Sequence, residues 1–108
     1  MVAQLTARPR KKKARLQRSI RLLRPPHRDR AGLMTIATER ATTYYVFKEI
    51  PCDIGGRGFA LHRLGLGNLY YVRVGAPEEC SCDCPGFLQH GRCKHVLGLL
   101  ALTGHHLI

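Results

Sequence analysis

Tryptophan is absent from this chain of 108 residues, and Phe and Tyr contribute only three and four side chains. That length bounds the fold to one domain at most, with a modest core and a net stability of only a few kcal/mol. No run of apolar residues reaches the roughly 18 needed to cross a bilayer, so no membrane span is expected. The first residues lack an apolar signal core, and the expectation is a reducing, cytoplasmic setting rather than secretion. Cysteine is present in an odd number, five. A disulfide framework is the competing reading for them, and the missing signal and a histidine at ligand spacing oppose it.

Acidic side chains are scarce as well: seven Asp and Glu stand against eighteen Lys and Arg, for a formal net charge of +11. Eleven of those cations fall in residues 1–30 (Arg8, Arg10, Lys11, Lys12, Lys13, Arg15, Arg18, Arg21, Arg24, Arg28 and Arg30), beside the single acid Asp29. Residues 31–108 are nearly neutral, with seven basic and six acidic groups. The chain thus divides into a basic arm, 1–30, and a body, 31–108. In the arm, Leu16, Ile20 and Leu23 are spaced four and three apart, which puts them on one helical face with arginines around the rest. Pro25-Pro26 ends any such helix. Self-repulsion favours a disordered or conditionally helical arm. A membrane-surface helix has only these three anchors to rest on.

The body carries three β signals: Thr43–Lys48, Gly58–Arg63 and Leu69–Val74, the last alternating Tyr70, Val72 and Val74 against Tyr71 and Arg73. Residues 31–41 admit a short helix through Leu33, Ile36 and Ala37, opposed by Gly32 and the threonines. Glycine clusters separate the strands as turns. Gly55-Gly56-Arg57-Gly58 lacks the Lys-Ser/Thr and the helix of a phosphate loop, and reads as a hairpin turn. A final helix is predicted from about Lys94, with His95, Leu99 and Leu102 on one face, Val96 and Leu100 beside them, and Gly104 at its end.

Between the last strand and that helix lie Cys82-Asp83-Cys84-Pro85-Gly86-Phe87, a short spacer, and Cys93-Lys94-His95. Residues i and i+2 of extended chain project to one side, so Cys82 and Cys84 can grip one ion. Cys93 and His95 sit about 200 degrees apart in a helix, and converge only if Cys93 lies at or before the helix start. That position also favours a thiolate. Three thiolates and one imidazole form a closed tetrahedral zinc set with no position left for a substrate, so no catalysis is expected. Cys93 and His95 as nucleophile and base lack a third group to orient them. Two alternatives stay open: Cys80 with Cys82 as the first pair, and His90 in place of His95. Zinc replacing three thiol protons would leave a charge of +10. His27, His62, His105 and His106 have no matching partners and read as surface residues.

These residues resemble the SWIM zinc finger, whose pattern is Cys-x-Cys, a variable spacer, then Cys-x-His. Pro85, Phe87, the basic residues before Cys93 and the apolar helix after His95 add to the likeness, which covers about 69–103. The resemblance implies a ββα zinc module with one structural Zn2+, found in Swi/Snf-type ATPases and transposase-related proteins, that binds DNA or other proteins and is not itself an enzyme. The fold expected overall is α+β: a small antiparallel meander, a zinc knuckle and one C-terminal helix.

Two functions follow as expectations. One is nucleic-acid binding, DNA foremost, with low sequence specificity, through Arg8, Arg10, Lys11, Lys12, Lys13, Arg15, Arg18 and Arg21, helped by Arg63, Arg73, Arg92 and Lys94 on the body. The other is a protein–protein interaction module, or an accessory subunit of a separately encoded ATPase, nuclease or transposase, docking through an exposed face such as Tyr45 and Phe47.

Overall fold

The computed structural model describes residues 17–108. Arg8, Arg10, Lys11, Lys12, Lys13, Arg15 and Leu16 lie outside this range. Six strands follow one another: β1 (Ser19–Arg24), β2 (Gly32–Ala37), β3 (Thr42–Ile50), β4 (Arg57–Arg63), β5 (Leu69–Val74) and β6 (Ser81–Cys82). Each pairs antiparallel with the next, so sheet order equals chain order. A 3₁₀ turn (Pro77–Glu79) precedes β6, and two helices follow it: α1 (Pro85–His90) and α2 (Lys94–Gly104).

The three strands expected from the sequence, Thr43–Lys48, Gly58–Arg63 and Leu69–Val74, lie within β3, β4 and β5. Three features differ from expectation. Residues 32–37 form a strand, not a helix, because Met34 and Ile36 alternate inward and β3 offers a full ladder of partners. Residues 19–24 are likewise a strand, not part of a helical face: Ile20 pairs with Ile36 and Leu22 with Met34, turning both inward. Pro25-Pro26 still ends the element, since neither residue can donate to a ladder. The C-terminal part holds two helices where one was expected, α1 opening on Pro85 and closing on the left-handed Gly91.

The core fills one side of the sheet. Met34, Tyr45, Phe47, Phe59, Leu61 and Val74 are fully or almost fully buried there, together with Leu99 and Leu102 of α2. Tyr45 and Phe47 are therefore core residues and not an exposed docking face, which removes the surface on which the protein-interaction reading was placed. α2 packs across β1, β5 and β6. At Gly98 a methyl group would lie 3.3 Å from Ile36 Cδ1, 3.5 Å from Ile20 Cδ1 and 3.6 Å from Met34 Cε. The missing side chain lets the helix ride directly on the first two strands. His27, His62, His105 and His106 are exposed. No helix among the described residues is long and apolar enough to cross a membrane.

Candidate metal centre

β6 places the first ligand. Its two residues pair with β5 as Val72↔Cys82 and Arg73↔Ser81, which turns Cys82 to the inner side beside Val72. Two residues on, Cys84 is the N-cap of α1, and its sulfur accepts the Phe87 N–H at 3.4 Å. After Gly91 the chain returns, and Cys93 is the N-cap of α2, its sulfur accepting the Val96 N–H at 3.5 Å. His95 follows in the first turn. Both helix starts thus present exposed amides to a sulfur, an arrangement that favours thiolate over thiol.

The ligand atoms of Cys82, Cys84, Cys93 and His95 all lie within 4.8 Å of one another. His95 Nδ1 is 3.8 Å from Cys82 Sγ and 3.8 Å from Cys93 Sγ. A tetrahedron of ligands at the usual Zn–S distance of about 2.3 Å has edges of roughly 3.8 Å. Distances and donor types therefore fit one zinc ion, held by three sulfurs and Nδ1, as a closed structural site. Cys82, Cys84 and His95 are 4 %, 3 % and 4 % exposed, so the site is shielded from exchange with bulk ligands.

The charge of the bare cluster points the same way. The Cys93 thiol is drawn well down, first by the hydrogen bond that Cys82 donates to it, then by His95 and the Val96 N–H, against burial. Cys82 is pushed up, first by retaining that shared proton and then by burial. A half-buried thiolate beside two buried sulfurs suits a compensating cation.

The alternative ligand registers are not assembled. Cys80 turns its thiol to the Gly75 and Ala76 carbonyls at 3.7 and 3.6 Å. Cys52 donates to Gly55 O at 3.3 Å, and all five cysteines are free. His90 is exposed at the end of α1.

Sequence reasoning missed the support around His95. Tyr45 Oη lies 3.3 Å from His95 Nε2, and the two rings meet edge-on at 5.4 Å. Tyr70 stacks on the other side at 4.5 Å and 27°. With Nδ1 on the metal, the ring proton sits on Nε2 and donates to Tyr45 Oη, fixing both tautomer and orientation. Burial raises the Tyr45 hydroxyl above its ordinary value. Tyr45 shares a face with Phe47, and Tyr70 with Val72, but no local pattern ties either ring to His95. Tyr45→Phe is expected to keep the fold and weaken zinc binding by about 10–100-fold, read by competition with a chromophoric chelator. Unchanged affinity would show that the hydroxyl contributes nothing to the ligand.

A cavity of about 360 Å³ opens beside the cluster, and Tyr70, His95, Arg18, His90, Arg92 and Lys94 are among the residues that line it. No carboxylate lines it. Burial depresses the Lys94 ammonium, and repulsion from Arg63 and Arg18 adds to the effect. Of the eight arm cations expected to bind nucleic acid, Arg18 and Arg21 fall within the described range and part company: Arg18 borders this cavity, while Arg21 pairs with Thr35 on the far side of the sheet. Arg73 is held by the Ile54 and Gly55 carbonyls at 3.0 and 3.1 Å.

Over residues 64–104, which include β5, β6 and both helices, the chain matches the family model of the SWIM zinc finger. No curated protein and no solved structure matches it.

Proposed function

We propose that the protein is a zinc-braced module that binds nucleic acid, DNA foremost, through phosphates and with little sequence preference. The observation that carries this is the set of cations beside the metal cluster. Arg18, Arg92 and Lys94 line one cavity with no acid among them, at a helix start that already favours anions. Lys94 is held there although its neighbours repel it. Arg18 lies three residues after Arg15, so this rim continues by covalent connection into the cationic run Arg8–Arg15. Such a stripe suits the regular charge of a nucleic-acid backbone, and releases counterions on binding.

In this reading β5, β6 and α2 act as a ββα unit. Zinc positions cations and carries no reaction, since its four ligand places are filled by the protein. Polar readout of base edges has no evident apparatus on the rim, which is why low specificity is part of the proposal.

The test is duplex DNA binding by the full chain, titrated against salt. Each phosphate contact removed reduces the slope of log K against log salt by about 0.9. Arg18→Ala, Arg92→Ala and Lys94→Ala combined should flatten the slope by roughly 2 to 3, with zinc content unchanged. A slope near zero in the unmodified protein, or an unaltered slope in the triple variant, sinks the reading.

A further inference from the structure

The side of the sheet opposite α1 and α2 has no covering element among the described residues, and its side chains are of an unusual mixture. Tyr44 of β3 is 47 % exposed and Tyr71 of β5 is 53 % exposed. His62 of β4, also exposed, lies between them. Register fixes their arrangement. Leu64 N–H donates to Tyr44 O at 2.9 Å, His62 pairs with Val46 and with Leu69, and Tyr71 pairs with Ala60. Each step from Tyr44 to His62 to Tyr71 therefore moves one strand across and two residues along, a distance of roughly 8 Å. Three flat rings follow one diagonal line.

Cations flank this line. Arg21 occupies the row of Tyr44 through Thr35, and Lys48 the row of Tyr71 through Ala60. Arg73 lies two residues beyond Tyr71 on the same strand. No Asp or Glu takes a strand position on this side among the described residues: Glu49 pairs with Phe59 and faces the core side, where it meets Arg57 at 2.8 Å. Asp83, just past β6, uses Oδ1 to accept the Tyr71 N–H at 2.9 Å.

We propose that this open sheet side is a track for single-stranded DNA, with successive bases stacking on Tyr44, His62 and Tyr71 while Arg21 and Lys48 hold the phosphates. Every base has a π face, so rings accept a strand without regard to sequence, and the flanking cations follow the backbone. A duplex keeps its bases stacked on one another and cannot use the rings. A second copy of the chain is a poor occupant, because it would bring these same cations against themselves. The track uses different side chains from the cationic rim and lies across the sheet from it, so the two proposals fail separately.

The experiment titrates the full zinc-loaded chain with a short oligo-dT, an abasic oligomer bearing the same number of phosphates, and a duplex of equal length. With no tryptophan present, intrinsic emission comes from tyrosine, and stacking on Tyr44 and Tyr71 quenches it. Oligo-dT is expected to bind on the order of tenfold tighter than the abasic strand, and Tyr44→Ala and Tyr71→Ala each to lose about tenfold for oligo-dT alone. Tyr44→Phe and Tyr71→Phe keep the ring and retain binding. Equal affinity for base-bearing and abasic strands overturns the proposal, and needs no variant to be seen. So does a Tyr44- or Tyr71-dependent dimer in sedimentation, which would give the face to a second copy, or an oligo-U bound tenfold tighter than oligo-dT. Duplex binding that persists through these failures leaves the rim reading intact.

Discussion

Removal of zinc is expected to abolish the helical signal of Pro85–His90 and Lys94–Gly104 in far-UV circular dichroism and to end cooperative melting of the chain. Structural zinc contributes on the order of 10–16 kcal/mol apparent in small domains near neutral pH, well above the few kcal/mol that a body of this size retains. Little else joins the parts it would tie. β6 has two residues, α1 has six, and both helices begin on a metal ligand. Without the ion, the Cys93 thiolate is left beside the buried sulfurs of Cys82 and Cys84 with no metal between them. α2 also covers Met34, Ile36 and Val72 on the inner side of the sheet, so its release uncovers the core of the meander. Spectra taken after exhaustive chelation, with metal content verified by mass spectrometry, decide the matter. An unchanged spectrum in verified metal-free protein would mean that polypeptide packing alone holds the fold.

Phe47→Ala in zinc-loaded protein should cost about 3–5 kcal/mol, the range for deleting a fully buried ring. Phe47 has no exposed surface, packs edge-on to Phe59 at 6.1 Å, and lies over Gly32, where even a methyl group would come within 2.5 Å of the ring. That glycine leaves no side chain to collapse into the void. For a domain of this size each kcal/mol moves Tm by roughly 4–8 °C, so a fall of more than about 12 °C is expected. Tyr44→Ala, three residues earlier on the exposed side, should move it little. If the two variants melt alike, Phe47 is not a core residue.

The contrast between these neighbours also shows what the sequence made legible. In Thr43–Lys48 the strand was evident from aromatic and β-branched residues. Which of its sides faces the core depends on the partners of β3, and the pattern Tyr44-Tyr45-Val46-Phe47 is apolar on both. The metal ligands were readable because Cys-x-Cys and Cys-x-His are local geometry, needing only an extended pair and a helix start. The clamp around His95 was not, since Tyr45 is fifty residues away in sequence. The strand character of β1 and β2 was hidden for a related reason. Ile20 and Leu22, like Met34 and Ile36, carry a period of two over one strand length, too short to outweigh a chance spacing of three and four. Only the ladder between them, and the glycine of α2 above them, decides the matter.

A sheet whose neighbours in space are also neighbours in sequence can zip up hairpin by hairpin as the chain leaves the ribosome, with short loops to close at each stage. The segment that roofs it emerges after all six strands. Until α2 arrives and the ion is captured, a greasy slab lies open to whatever passes. Cellular supply of zinc would then govern the yield of intact protein during synthesis, before it governs anything the finished molecule does.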